Sequence, residues 1–288
     1  MGPLADRTGL PNGPSADQNN EWCSLLPDQG RHPSSTFPVS AAAMSAHDAQ
    51  SLRALVRPDR VHHSVYSDPA VFELELDRLF GRAWLLLGHD SQVARPGDWF
   101  TTRMGRLPVI VTRDAANAVR VLVNRCTHRG ALVCHEPRGH SRHFVCPYHG
   151  WGFELDGRLR GVPVPQGYGP EPQRVFAELG LQAVPRVDRY RGFIFASLSA
   201  SGPGLTEFLG PLASSFDDLV DRAPDGEVEV AGGVFKHTYE GNWKLVLENH
   251  LDGVHPNHVH ISSVHVAREV PDPGQPEKYS DKIGRAHV

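Results

Sequence analysis

The chain has 288 residues, a formal net charge of −4 and 40% hydrophobic residues. That length allows one large domain or two ordinary ones, and 33 acidic against 29 basic residues give no electrostatic case for binding nucleic acid. No apolar run approaches the ~18 residues of a membrane span, so no membrane association is expected. The N-terminus lacks a basic stretch leading into an apolar one, and the cysteines Cys126 and Cys146 lie close to histidines. Metal binding in a cytoplasmic protein is therefore expected before disulfides.

Residues 1–43 are rich in Pro, Gly, Ser, Asp and Asn without an apolar period, and read as disordered. MSAHDAQSLRALV, from Met44, looks like an ordinary protein start, so residues 1–43 are expected to be translated upstream sequence. Residues 44–86 form an N-terminal helical segment. Its structure is expected to begin near Ser67, with Asp68 as cap, Pro69 in the first turn, and Phe72, Leu76, Leu79, Phe80 and Trp84 at helical spacing. From 87 to 200 the pattern turns to β. LPVIV (107–111) and VRVLVN (119–124) flank a polar turn and read as a hairpin, and FIFASL (193–198) is a further strand. VEVAGGVFKHTYE (228–240) suggests another strand pair.

A helical period returns at 243–254. Trp243, Val246, Leu247, His250 and Val254 share an apolar stripe, while Asn249, Asp252 and His255 lie roughly opposite. A helix burying both faces would aim that polar set into an internal site, and Pro256 would end it just after His255. His250 reads as a packing histidine. Imidazoles and a carboxylate together in ENHLDGVHPNHVH (248–260) suit iron or zinc.

The strongest pattern is C-x-H-x17-C-x2-H, formed by Cys126, His128, Cys146 and His149. Two Cys and two His are the ligand set of a Rieske [2Fe–2S] centre, in which two imidazoles replace two thiolates on one iron. Structural zinc favours C-x2–4-C and H-x3–5-H pairs, so alternation of Cys with His argues against it. Cys134 breaks the paired spacing and reads as a small buried hydrophobe; Cys23 falls in the presumed tail.

NRCTHRGALVC…FVCPYHGWGFELDGRL (124–159) resembles the Rieske segment of the large (alpha) subunit of aromatic-ring-hydroxylating oxygenases. The likeness runs upstream through 66–102 and downstream to GNWKLVLENHLDGVHPNHVH (241–260). The resemblance implies an α+β fold: an all-β Rieske [2Fe–2S] domain over 87–200, then, over 201–282, the first part of a helix-on-antiparallel-sheet (SRPBCC, helix-grip-like) catalytic domain. It implies a second centre too, a mononuclear Fe(II) held by two histidines and a carboxylate. Carried over, Asn249, Asp252, His255 and His260 match N-x2-D-x2-H-x4-H, with His255 and His260 as ligands; His258 stays open as a substitute for His260. Asp252 would bridge the centres, meeting His128 or His149 of a neighbouring subunit.

The implied reaction is reductive O2 activation on an aromatic small molecule, typically cis-dihydroxylation, in some members demethylation. Electrons would come from a separate NAD(P)H-dependent reductase, sometimes through a ferredoxin, consistent with the lack of a dinucleotide fingerprint. The assembly would be a homotrimer or be built on trimers, in some members with a beta subunit. A Rieske ferredoxin acting only as electron carrier is the main alternative, and a structural zinc protein the next.

The third iron ligand should lie more than a hundred positions beyond the histidines, and Glu269, Asp272, Glu277 and Asp281 do not match it. The final IGRAHV (283–288) matches the translation of a common sequencing adapter. The chain is therefore expected to be a C-terminally truncated piece that binds the [2Fe–2S] cluster without oxygenating a substrate, and whose exposed sheet edges favour aggregation.

Overall fold

The computed structural model describes residues 48–168, 176–230 and 232–269. The expectations for residues 1–43, Cys23, Asp272, Glu277, Asp281 and 283–288 lie outside them.

Helix α1 (Ala49–Ala54) opens on Asp48, whose carboxylate accepts a hydrogen bond from the Ser51 amide at 2.7 Å. The hairpin of β1 (Val56–Arg57) with β2 (Arg60–Val61) and the short helix α2 (Ser64–Ser67) follow. Regular structure thus begins well before Ser67; these elements are too short for an apolar period to register. Helix α3 (Pro69–Glu75) starts as its sequence predicts, with the Asp68 side chain accepting from the Ala70 amide at 2.8 Å. The backbone then widens into a π-helical turn, Leu76–Phe80, and stops before Trp84. Trp84 does not continue the helix; it packs with Phe195, Leu205 and Leu209.

Ten strands follow the N-terminal hairpin: β3 (Leu85–His89), β4 (Asp98–Met104), β5 (Leu107–Arg113), β6 (Val119–Val123), β7 (Arg138–His140), β8 (Phe144–Val145), β9 (Gly152–Phe153), β10 (Leu159–Gly161), β11 (Arg186–Tyr190) and β12 (Phe193–Ser197). Among the described residues they form three antiparallel sheets in the orders β6-β5-β4-β7, β11-β12-β3 and β10-β9-β8.

The expected hairpin is β5–β6, with Val109 opposite Val123 and Arg113 opposite Val119. Asp114 closes its turn: its carboxylate accepts from the Ala116 and Ala118 amides at 2.9 and 2.8 Å and from Arg120 Nε at 2.7 Å. The unbroken apolar run of β5 follows from burial on both faces. Val109 and Val111 pack with Phe100, Met104, Val121 and Ile194 on one side. Ile110 points the other way, to Trp99, Leu122 and Phe153 and to the loops that carry Cys126 and Cys146. Each such side chain, fully buried, contributes about 1.5–3 kcal/mol.

Helices α4 (Leu205–Leu209), α5 (Ala213–Asp221), α6 (Trp243–Leu251) and α7 (Ile261–Glu269) complete the described chain. The fold is α+β, an all-β body with helical flanks. The strand pair expected over 228–240 is not formed among the described residues. Its alternating residues meet no sheet edge; Phe235 is 88% exposed, and the Val230 amide bonds the Ser91 hydroxyl instead. The antiparallel sheet expected within 201–282 is likewise not among the described residues. Nor is any described helix long and apolar enough to cross a membrane.

Candidate iron–sulfur and iron sites

Cys126 and Cys146 sit at the start of two turns with the same backbone frame. In the first, the Cys126 amide donates to the Ala131 carbonyl at 2.8 Å and the Gly130 amide donates back to the Cys126 carbonyl at 2.9 Å. In the second, Cys146 bonds Trp151 and Gly150 bonds Cys146 at the same two distances. Gly130 and Gly150 occupy the left-handed region, with φ of 76° and 69°, where a side chain would be strained. The turn geometry therefore explains both glycines.

Both thiols are buried and unbridged. Burial, with the neighbouring Cys146 thiol adding to it, pushes the Cys126 thiol up despite the amides of His128 and Arg129. A thiol so placed becomes thiolate when a cation arrives. The rings of His128 and His149 lie 4.7 Å apart at 69°. Their Nδ1 atoms are buried with no hydrogen-bond partner, which is costly unless something else takes the lone pairs. Burial, then His149 and Arg129, lowers the His128 imidazole, which favours the neutral, ligating form. Two thiols and two orphaned imidazole nitrogens fit a [2Fe–2S] cluster with two protein ligands on each iron.

Several supporting residues carry no signal in the motif. Asn124 is 2% exposed; its Oδ1 accepts from the Val133 and Cys134 amides at 3.0 and 2.9 Å and its Nδ2 donates to the Cys134 carbonyl at 2.7 Å. Those bonds tie off the loop that carries Cys126 and His128. The only hint was an amide ending the apolar run VRVLVN. Thr127 Oγ1 donates to the Leu179 carbonyl at 2.6 Å. Trp151 stacks flat on His128 at 4.7 Å and 6°, and Tyr148 lies over His149 at 3.9 Å. Cys134 stands apart from the pair; it is buried, and burial pushes its thiol up to about 12.

The second candidate site is looser. Helix α6 is capped by Asn242, which accepts from the Lys244 amide, and ends at Leu251. This is earlier than Pro256 predicts, because Asp252 Oδ1 captures the amides of Val254 and His255 at 2.8 and 3.3 Å. His255 then opens a short 3-10 turn instead of lying on the helix. The rings of His255 and His260 stand 5.5 Å apart. His255 Nδ1 is buried without a hydrogen bond; Asp252 Oδ2 is 3.3 Å away but outside hydrogen-bond geometry. The Val254 amide, then the His255 amide and imidazole, hold the Asp252 carboxyl below the usual carboxylate range against partial burial. Asn249 and His258 are exposed.

The apolar stripe of α6 is not buried: Leu247 is 51% and Val254 67% exposed. His250 is exposed as well, its Nδ1 satisfied by the Val246 carbonyl at 2.7 Å, so it is not a packing residue here. Of the stripe, Trp243 alone is part-buried, at the start of the helix.

Residues 83–182 match the Rieske [2Fe-2S] domain family. The chain carries a Rieske [2Fe–2S] domain and is homologous to the alpha subunits of aromatic ring-hydroxylating dioxygenases. It is 39% identical over 204 residues to the N,N-dimethyl phenylurea N-demethylase subunit alpha of Sphingobium sp. (strain YBL2), covering 70% of this chain and 43% of that one. It is 39% identical over 202 residues to the toluate 1,2-dioxygenase subunit alpha of Pseudomonas putida, covering 70% and 44%. Among solved structures, naphthalene 1,2-dioxygenase from Rhodococcus sp. bound to indole superposes with a TM-score of 0.68 at 31% identity, covering 79% of this chain and 51% of that one. The chain thus spans less than half the length of those two curated relatives. Cys126, His128, Cys146 and His149 all lie inside the Rieske match, and the Rieske reading fits better than the structural-zinc alternative.

Proposed function

We propose that this chain serves on the oxygenase side of a ring-hydroxylating system. It would take electrons from a separate NAD(P)H-dependent reductase, directly or through a ferredoxin, and use them on O2 and an aromatic small molecule. The observation that carries this reading is a pair of buried, unbridged thiols together with two adjacent imidazoles whose Nδ1 atoms are orphaned, all inside a segment that matches the Rieske family. When bound, the cluster supplies reversible one-electron storage, and a ferrous ion supplies the place where O2 is reduced.

The protein's own part is to bind, orient and exclude water. Cys126 and Cys146 would hold one iron and His128 and His149 the other, the orphaned Nδ1 atoms being the free imidazole donors. Trp151 covers one face of the His128 ring, which keeps water from it. His255 and His260 offer two imidazoles to the mononuclear Fe(II), with His258 as the substitute for His260. The third, carboxylate ligand is not among the described residues. Asp252 orients the loop that carries His255 through its two amide bonds, and in a trimer would reach the Rieske histidines of a neighbouring subunit, with Asn249 beside it. Relatives named as dioxygenases and one named as a demethylase match at similar identity, so the substrate class proposed is an aromatic small molecule in general. A cytoplasmic setting, a trimer-based assembly and a beta subunit belong to the same proposal, as do the domain limits 87–200 and 201–282.

Visible absorption with iron and acid-labile sulfide analysis of the purified chain tests the first centre. A reddish-brown protein that bleaches on reduction, losing its colour in Cys126→Ser and Cys146→Ser, is expected; a colourless zinc protein overturns the reading. For the second centre, Asp252→Asn in the full-length oxygenase should keep both metals yet form less product per NADH oxidised. Normal coupling in that variant would refute the bridge.

A further inference from the structure

We propose that Tyr66 and Glu75 are positioning residues for the His255/His260 centre: they moor helix α6 to the N-terminal helical segment and thereby set where Asp252, His255 and His260 stand. The inference rests on the ligand assignment proposed above.

Helix α6 has nine residues and buries none of them. A helix that short does not hold in water by itself, and its apolar face beyond Trp243 is exposed. Its anchorage is polar and concentrated at its start. Glu75, the last residue of α3, uses both carboxylate oxygens: Oε2 accepts from Trp243 Nε1 at 2.8 Å and Oε1 meets Lys244 Nζ at 2.5 Å. The two side chains of that ion pair are only 16% and 15% exposed, so water screens it less than a surface pair. Phe80 meets the Trp243 ring edge-on at 5.3 Å.

Tyr66 makes the second set of contacts. Its carbonyl accepts from Asn242 Nδ2 at 2.9 Å, and its hydroxyl donates to Glu248 Oε1 at 2.8 Å, one turn further along α6. Contacts at Asn242, Trp243, Lys244 and Glu248 fix both the rotation and the tilt of the helix. The opposite end runs straight into Asp252 and His255. A helix of nine residues is about 13.5 Å long, so a tilt of about 10° would carry its far end about 2 Å. Metal ligands tolerate about 0.2 Å. Holding the near end therefore decides whether the two imidazoles can share an ion.

The test uses the whole 288-residue chain with its cluster loaded. Amide hydrogen exchange is followed at residues 245–251, and Co(II) titration reads the d–d absorption of the His255/His260 site, with His255→Ala as control. Glu75→Ala should speed exchange in that segment at least about tenfold and weaken Co(II) binding about tenfold. Glu75→Gln keeps an acceptor for Trp243 Nε1 and should recover part of both; Tyr66→Phe should show a smaller loss. The cluster's visible spectrum should be unchanged in all three. If Glu75→Ala loses the cluster with the fold, Glu75→Gln and Tyr66→Phe carry the test. Exchange unchanged in the variants, or faster exchange with Co(II) affinity intact, overturns the proposal. Absence of His255-dependent Co(II) binding in the unmutated chain overturns the ligand assignment instead, while exchange still reports whether the mooring exists.

Discussion

Asn124→Ala should be among the most damaging single substitutions outside the cysteines and histidines. The side chain is buried and makes three hydrogen bonds to the loop that carries Cys126 and His128. Truncation leaves the Val133 and Cys134 amides and the Cys134 carbonyl without their partner. At about 1–3 kcal/mol for each buried group left unsatisfied, with partial rehydration, the loss is about 3–6 kcal/mol. That is a large share of the roughly 5–15 kcal/mol that holds a domain folded. Asn124→Asp keeps the two acceptor bonds but turns the third into a carboxylate facing the Cys134 carbonyl. It should be destabilised at neutral pH and improve as the acid is protonated. Urea unfolding followed by circular dichroism gives the free energies, and iron per chain gives the loop's competence. A cost for Asn124→Ala below about 1 kcal/mol with full iron content would show that the loop is held by other contacts.

Asp114 supplies a pH dependence with a definite sign. Burial pushes its carboxyl up, but Arg120 and the amides of Ala118 and Ala116 outweigh this and hold it below the usual range. Its stabilisation is therefore complete above the unfolded value of about 3.9 and lost as pH falls through the lower folded value. Asp114→Asn should cost about 1–3 kcal/mol at neutral pH, with the gap to the unmutated protein narrowing in acid; a gap constant with pH would refute the assignment. Gly150→Ala places a Cβ 3.2 Å from Pro163 Cγ at a positive φ and should cost about 1–2 kcal/mol and lower cluster content, measured by visible absorbance per chain. Cys134→Ala should leave the visible spectrum intact, and a bleached variant would make Cys134 a ligand after all.

What could be read from the residue order was what short-range chemistry decides. Asp68-Pro69 announces a helix start, the polar turn at Asp114 announces a hairpin, and the spacing of Cys126, His128, Cys146 and His149 announces the cluster because two local turns present all four. The α6 region departs from its periodicity where a side chain competes with the backbone: Asp252 captures amides that would have continued the helix. Residues 228–240 have strand-like alternation, but a strand needs an edge, and no periodicity reveals whether one is available. Tyr66 and Glu75 carry no sequence signal because their partners lie far along the chain, 182 residues away for Tyr66 and Glu248, and Asn124 only that of an amide ending an apolar run. Only three-dimensional placement gives such residues meaning.

The two cysteine turns close through their own amides, Cys126 with Ala131 and Gly130, Cys146 with Trp151 and Gly150. That frame favours a glycine at the fifth place, where φ is positive, carries the cysteine at the first, and is indifferent to whether the histidine stands third, as His128 does, or fourth, as His149 does. Each turn closes on its own backbone, with Asn124 and Thr127 adding outside support to the first, and a cofactor would join two arms that are already shaped. The same backbone thus presents its imidazole from the third place in one turn and from the fourth in the other, so the place of the histidine, not the loop, sets where each ligand is aimed.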